Sequence, residues 1–320
     1  MLRVVIIGYG EMFTNLIAAA LDTNCKIVGV LRKETVKYSP FVRKLKDILN
    51  PSKDYNYIKS YNLPEITDVK SVNSSAFRRK MLGLNPDIIL VGSWGEKFEK
   101  ETYDIPKIAS INAHPSLLPK YRGPNPYFWA IKNGEQESGV TFHLIDSGYD
   151  TGAILAQEVV KIYPSDTGES LKKRIVLTAR GVCAELLNSL KEDIIIPLQQ
   201  NEEKSSYYSY PEGLELNFTQ KTAEENYALI RASYPWEKTY FYHDITPLTP
   251  DAKNTSTEEN ASQYCKAGMV AEVDFKTKTV SVVCKDGKVL RMSNLNLYKN
   301  FDRPFTKNYI KLEIKEGDLL

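Results

Sequence analysis

At 320 residues, with 42% hydrophobic and 26% charged side chains, the chain has the composition of a folded globular protein and more length than one ordinary domain needs. Its 42 Lys and Arg stand against 40 Asp and Glu, a formal charge of +2 that gives no global pull toward nucleic acid. The longest apolar runs, such as Leu2 to Ile7 and Ile88 to Val91, are strand-sized and argue against a membrane-spanning helix, which needs roughly 20 apolar residues.

The amino terminus has a single Arg3 before a short apolar strand, without the apolar stretch and cleavage site of an export signal, so a cytoplasmic address and no membrane partner are expected. From residue 1 to about 190, β-rich runs alternate with helical patterns, the mark of βαβ units in a doubly wound, mostly parallel α/β sheet. Strands are expected near 2–7, 26–31, 86–92, 108–112, 138–145 and 153–160. Helices are expected near 11–22, 74–83, 124–133 and 167–191, the last opened by Asp166 as its amino-terminal cap. Gly8-Tyr9-Gly10 follows the first strand, where a dinucleotide-binding turn would lie. Phe13 occupies the third glycine position of G-x-G-x-x-G, however, and the pair reads better as a tight turn. The segment 32–72, with Pro40, Pro51 and Pro64, is too long for an ordinary connection and reads as a functional excursion or a small subdomain.

Around 195–218 the rhythm breaks into a polar, tyrosine-rich stretch ending in Pro211 and Gly213, as in a linker. The expected division is therefore a catalytic domain over 1–195, a linker over 196–218 and a smaller β-rich domain over 219–320. In the last, Thr222 and Glu225 form a capping box for a short helix, and 269–299 alternates as strands around the turn Lys285-Asp286-Gly287. The Thr/Ser/Glu/Asn-rich 251–262 reads as a mobile loop. Cys25, Cys183, Cys265 and Cys284 are scattered with no C-x-x-C pairing, which suggests neither a zinc site nor a disulfide framework.

The densest chemistry lies in 108–152. Asn112-Ala113-His114-Pro115-Ser116-Leu117-Leu118-Pro119 leaves the end of a strand, so Asn112 and His114 alternate onto one side of an extended backbone, where open α/β sheets place ligands. Asp146-Ser147-Gly148-Tyr149-Asp150-Thr151-Gly152 then holds an acidic residue beside that loop. The trio Asn112, His114 and Asp150 suits acyl transfer without a covalent enzyme intermediate, in which an amine attacks an amide-like carbon. An Asn amide and an imidazolium stabilise the developing oxyanion, at about 3 kcal/mol for each aimed hydrogen bond. A His paired with a carboxylate moves the proton, its pKa expected to rise through that pairing. Taken singly, such a His or Asp is more often structural; the combination is what points to a site. His143, alternating with Thr141, reads as structural.

The ordered motifs N-x-H-P-S-L-L-P-x-Y-R-G at 112–123, G-V-T at 139–141 and D-x-G-x-D-T-G at 146–152 resemble those of the folate-dependent formyltransferase superfamily, and in particular its methionyl-tRNA and nucleotide-amino-sugar branches. The resemblance implies Asn112, His114 and Asp150 as catalytic residues and 10-formyltetrahydrofolate as co-substrate, with no metal. It implies a folate pocket at Gly92, Ser93, Trp94, Gly95, Leu118, Asp146 and Gly148, and acceptor contacts at Ser116, Arg122, Gly123 and Asn125. It extends more loosely through Tyr234-Pro235-Trp236 and the β-rich 268–299 to Glu316-Gly317-Asp318.

Departures from the methionyl-tRNA branch concern the acceptor. That branch begins with a G-T-P-x-F-A turn and clamps the acceptor stem with a glycine- and lysine-rich loop after its second strand. Here Gly8-Tyr9-Gly10-Glu11-Met12-Phe13 stands in the first place. The basic 32–49, with Arg32, Lys33, Lys37, Arg43, Lys44 and Lys46, lacks the glycine pattern and reads partly as an amphipathic helix. Residues 205–320 hold 15 Lys and Arg against 16 Asp and Glu, no surface for phosphates. A nucleotide-linked amino sugar is the expected amine acceptor, with charged initiator tRNA as the alternative and a homodimer left open. A non-catalytic RNA- or nucleotide-binding protein on the same scaffold is the rival class. A nicotinamide-dependent oxidoreductase would leave the 112–152 cluster unexplained.

Overall fold

The computed structural model describes residues 1–244, 246–259, 266–297 and 314–320; Cys265 lies outside them. The chain groups into two compact units, the first made of 1–126, 137–161 and 172–209, the second of 127–136, 162–171 and 210–320.

The first unit is built on a six-stranded sheet of β1 (Arg3–Gly8), β2 (Lys26–Arg32), β3 (Ile88–Gly92), β4 (Ala109–His114), β5 (Glu137–Leu144) and β6 (Ile154–Lys161), in the order β2-β1-β3-β4-β5-β6. The inner strands read as continuous apolar runs because both faces are covered: Val4, Val5, Ile6 and Ile7 of β1 and all of β3 are buried. β1, β2, β3 and β4 pair in parallel, whereas β5 runs antiparallel to both β4 and β6, so the sheet is mostly parallel, as expected. Only 145–153 joins β5 to β6, too short for the crossover that parallel neighbours require.

Helices cover the sheet where the sequence puts caps. Between β1 and β2 lies α1 (Gly10–Asp22), which buries Met12, Phe13, Leu16 and Ile17. The long segment after β2 folds as α2 (Lys33–Lys37), α3 (Pro40–Leu49) and α4 (Lys53–Ser60). Ser39 and Ser52 open α3 and α4 by accepting from the N–H groups of Val42 and Tyr55. α3 buries none of its residues. α5 (Ser75–Leu84) is capped by Ser74, and α6 (Lys100–Tyr103) and α7 (Pro126–Lys132) follow. α8 (Gly168–Lys191) is opened by Thr167, whose Oγ1 accepts from Ser170 N at 3.2 Å, rather than by Asp166, whose carboxylate takes the Ser170 hydroxyl and the Tyr163 N–H. The stretch expected as a linker is divided: through Ser209 it goes with the first unit, where Leu198 bridges Ile154 and Tyr207 bridges Arg122.

The second unit carries α9 (Ala223–Ser233), whose capping box of Thr222 and Glu225 is fully formed. Its strands are β7 (Phe241–His243), β8 (Thr246–Thr249), β9 (Thr255–Glu258), β10 (Val270–Asp274), β11 (Thr279–Val283), β12 (Val289–Met292) and β13 (Asn296–Leu297). They form an antiparallel sheet β10-β11-β12-β9 and a second sheet β13-β8-β7. The hairpin at 285–287 turns on Gly287, at φ +76°. Much of the Thr-rich stretch expected as a loop is strand β9, whose β-branched Thr255 is buried against β12; residues 260–262 lie outside those described.

Candidate active site

β4 sets Asn112 and His114 on one side of the sheet, and antiparallel β5 places His143 opposite Asn112 and Thr141 opposite His114. The turn after β5 then returns Asp150 to both. Asp150 adopts a φ of +56°, the left-handed region that Asp tolerates at some cost. Gln200 holds it there, with Nε2 donating to the carbonyls of Asp150 and Gly152, each at 2.8 Å.

The Asp150 carboxylate is the hub of the site. Its Oδ1 accepts from Asn112 Nδ2 at 3.2 Å and lies 3.4 Å from His143 Nε2; its Oδ2 accepts the Gly123 N–H at 3.0 Å and lies 3.4 Å from His114 Nδ1. Burial pushes this carboxyl up, but the imidazoles of His114 and His143 and the Gly123 N–H outweigh it and hold it well below the usual carboxylate range. Asp150 is therefore ionised.

His114 is 5% exposed, and its Nε2–H donates to the Tyr121 carbonyl at 2.8 Å. That bond fixes the tautomer and leaves Nδ1, facing Asp150, as the basic atom. Burial lowers the His114 pKa below its ordinary 6.5; Asp150 raises it, as expected of the pairing, but is outweighed. His143 donates from Nδ1 to its neighbour's carbonyl, Leu144 O, at 2.8 Å, so Nε2 accepts from Asn112 Nδ2 at 3.2 Å. Asn112 Nδ2 thus lies within hydrogen-bond distance of both His143 Nε2 and Asp150 Oδ1.

Asn112, His143 and Asp150 form one wall of a narrow cleft of about 80 Å³, which Trp94, Gly95, Asp146 and Gly148 bound on other sides; His114 does not line it and meets the site through Asp150. Trp94 Nε1 is buried without a hydrogen-bond partner. Asp146 shapes the turn: its Oδ1 accepts the Gly148 N–H at 2.9 Å and the Thr151 hydroxyl at 2.6 Å. A side chain at Gly148 would meet Thr151 Oγ1 at 1.9 Å. Gly92, closing β3 against Met12 and Leu16, and Ser93, at φ +60°, set the direction of the Trp94 loop.

The remaining expected contact residues do not line the cleft. Leu118 is buried, its N–H donating to Thr141 Oγ1 and its carbonyl accepting from Gln157. Ser116 is 1% exposed and donates to the Lys120 carbonyl. The Arg122 guanidinium is held by Gln200 Oε1 and the Glu202 carboxylate, Gly123 serves Asp150 through its N–H, and Asn125 makes a turn at φ +55°. His143, read from the sequence as structural, and Gln200, which it did not single out, enter instead. His143 could have been found from an antiparallel register between β4 and β5; Gln200, 50 residues from Asp150, left no local signal.

The formyl transferase family matches residues 2–184. A methionyl-tRNA formyltransferase from Clostridium novyi (strain NT) is 34% identical over 212 residues, covering 66% of this chain and 67% of that protein. One from Clostridioides difficile (strain 630) is 29% identical over 324 residues, covering 100% of this chain and 98% of its own length. Among solved structures, the N-formyltransferase from Helicobacter canadensis in complex with folinic acid and dTDP-3-aminofucose superposes with a TM-score of 0.66 at 21% identity, covering 93% of this chain and 100% of that one.

Proposed function

Because the chain belongs to the formyl transferase family, we propose that it moves the formyl group of 10-formyltetrahydrofolate to a primary amine, with Asn112, His114 and Asp150 touching the reacting atoms. The observation that carries this reading is the convergence of His114 Nδ1 and Asn112 Nδ2 on one buried, ionised carboxylate at the wall of a cleft.

The folate supplies a formyl carbon bound to a nitrogen that can leave. Trp94, with its unpartnered indole N–H, and the turn of Asp146 and Gly148 suit the edge of a flat heteroaromatic ring rich in acceptors. The attacking amine must be neutral. His114, kept neutral by burial, takes its proton on Nδ1 as the new C–N bond forms, and Asp150 stabilises the imidazolium that results. The same Nδ1–H returns the proton to the departing nitrogen. Asn112 supplies a hydrogen bond to the formyl oxygen as negative charge develops there, giving up one of its two present acceptors.

The acceptor we favour is a nucleotide-linked amino sugar. Residues 33–49 fold as two helices and not as a glycine-rich clamp, and the Helicobacter canadensis neighbour is in complex with dTDP-3-aminofucose. A second reading, charged initiator tRNA, is favoured by the end-to-end match to the Clostridioides difficile methionyl-tRNA formyltransferase. Incubation with 10-formyltetrahydrofolate and pools of nucleotide amino sugars or charged initiator tRNA, followed by mass spectrometry, decides between them. The true acceptor gains the mass of one formyl group; no gain in either pool overturns formyl transfer to these amines.

A further inference from the structure

A second and larger cavity, about 470 Å³, opens between the carboxyl ends of β1 and β2 and shares no lining residue with the catalytic cleft. Lys33, Lys37, Arg43, Lys46 and Lys53 line it together with Arg32, six cations against the three carboxylates of Glu34, Asp47 and Asp54. Two of those carboxylates are already committed. Asp47 pairs with Arg32 Nη2, and Asp54 Oδ2 accepts the Gly10 N–H at 2.8 Å.

Arg32 is completely buried. Its Nε donates to Glu65 Oε1 at 2.7 Å, but Nη1 has no hydrogen-bond partner. Glu34 Oε2 is also buried without a hydrogen bond, and the two atoms face each other as an ion pair at 3.9 Å, too far apart for a hydrogen bond of their own. An unmade hydrogen bond on a buried polar group costs about 1–3 kcal/mol, so such a pair persists where something else completes it. A group that fits between an N–H donor and a carboxylate acceptor must accept from one and donate to the other, as a hydroxyl does. A carboxylate following the second strand of a βαβ unit is also where a ribose hydroxyl is held in doubly wound folds.

The phosphate position differs from a dinucleotide site. Asp54 already occupies the first N–H of α1 and makes that helix terminus unwelcoming to another anion. The rim lysines and Arg43 supply the positive charge instead. Tyr9 and Tyr38 add aromatic walls, with Lys33 Nζ 4.2 Å from the Tyr9 ring centre and Lys46 Nζ 4.6 Å from that of Tyr38. A base can stack on such rings.

We propose that this cavity binds a nucleoside diphosphate, its ribose hydroxyls between Arg32 Nη1 and Glu34 Oε2 and its phosphates on the cationic rim. Binding is read directly, so the proposal stands or falls separately from the formyl-transfer reading. Isothermal titration of the full chain with UDP, ADP, uridine and inorganic pyrophosphate tests it. One equivalent of UDP or ADP is expected to bind, with uridine and pyrophosphate each at least tenfold weaker. The double change Arg43→Ser and Lys46→Ser, on the cavity rim, should weaken the nucleotide at least tenfold. Glu34→Gln should weaken the nucleotide while leaving pyrophosphate unchanged; it is preferred to altering Arg32, whose loss would strand Asp47 and Glu65. No binding of either nucleotide at millimolar concentration, pyrophosphate binding as tightly as the nucleotides, or an affinity unmoved by the double change would each overturn the proposal. So would preference for a short RNA duplex, which would make the surface one for RNA.

Discussion

The cleft proposed for catalysis and the cationic cavity lie at carboxyl ends of one sheet and are built on opposite principles. Beside the cleft, Asn112, His114, His143 and Asp150 hold one another by hydrogen bonds and ion pairs, so their positions are fixed before any reaction. Around the cavity, positive charge sits on long side chains, while the polar atoms left open are buried on Arg32 and Glu34. Chemistry demands fixed groups because the charge it creates must be met within tenths of an ångström. Holding a phosphate tolerates mobile lysines, which act as point charges. The sharpest way to break this contrast is to disturb the hub. Asp150→Asn, His114→Ala and Asn112→Ala should each lower kcat by roughly 100-fold or more, as for loss of a group acting on the transition state, with the circular dichroism of the fold retained. Near-wild-type turnover in any one would remove that residue from the reacting atoms.

His143 should come next in size. It touches Asn112 and Asp150 and acts through them, so His143→Ala should reduce kcat about tenfold with the folate KM little changed, on the scale of one charge-assisted hydrogen bond. His143→Gln, which can still accept from Asn112, should recover much of that loss. A merely structural His143 would show lost stability with no such rescue of kcat.

The proton chemistry makes a third test with a defined sign. Because the folded pKa of His114 lies below 6.5, imidazole NMR should show it neutral at pH values where an exposed histidine is half protonated. Asp150→Asn should lower the His114 value further, since Asp150 is what opposes the burial. As pH falls below about 6.5, the unfolded chain takes up a proton that the folded site resists, so stability falls, by at most about 1.4 kcal/mol per pH unit. Asp150 contributes in the opposite range: its depressed pKa stabilises the fold above about pH 3.9, and that contribution is lost as pH falls through the folded value. A His114 titration at or above 6.5 would mean that the carboxylate, not burial, governs the site.

The sequence carried the strands, the Thr222 cap and the neighbouring placement of Asn112 and His114 because each has a local cause: apolar β-branched runs, a Thr three residues before a Glu, and two side chains alternating off the end of β4. What it hid depended on pairing across the chain. His143 reads as structural from its alternation with Thr141, and only the antiparallel β4–β5 register sets it opposite Asn112. Arg122 resembles an acceptor contact until Gln200 and Glu202, 78 and 80 residues away, take its guanidinium. The 32–60 helices were legible only in part, since α3 places no residue in the core and leaves no buried stripe to read.

A fourth and smaller effect probes the donor side of the cleft. Trp94 Nε1 is a buried donor with no partner, and Trp94→Phe removes it while keeping an aromatic ring. The folate KM should rise about fivefold, the size of one neutral hydrogen bond, with the acceptor KM unchanged. The reverse pattern would move Trp94 to the acceptor side.

The smallest expected effect sharpens the comparison from the stability side. Ile7 of β1 is fully buried at the centre of the sheet, so Ile7→Ala should cost about 2–5 kcal/mol through lost burial and the cavity it leaves. Ile48 of α3 is 68% exposed, with Phe41 at 78% and Leu49 at 74%, so Ile48→Ala removes almost no burial and should stay within about 0.5 kcal/mol in urea unfolding. The helix that carries Arg43 and Lys46 would then owe its place to its Ser39 cap and to the pairing of Asp47 with Arg32, and not to a core of its own. Such an element can vary its surface without endangering the sheet beneath it. A loss of 2 kcal/mol or more for Ile48→Ala would show that α3 is packed after all, and would tie the cavity wall to the fold as firmly as the catalytic cleft is tied.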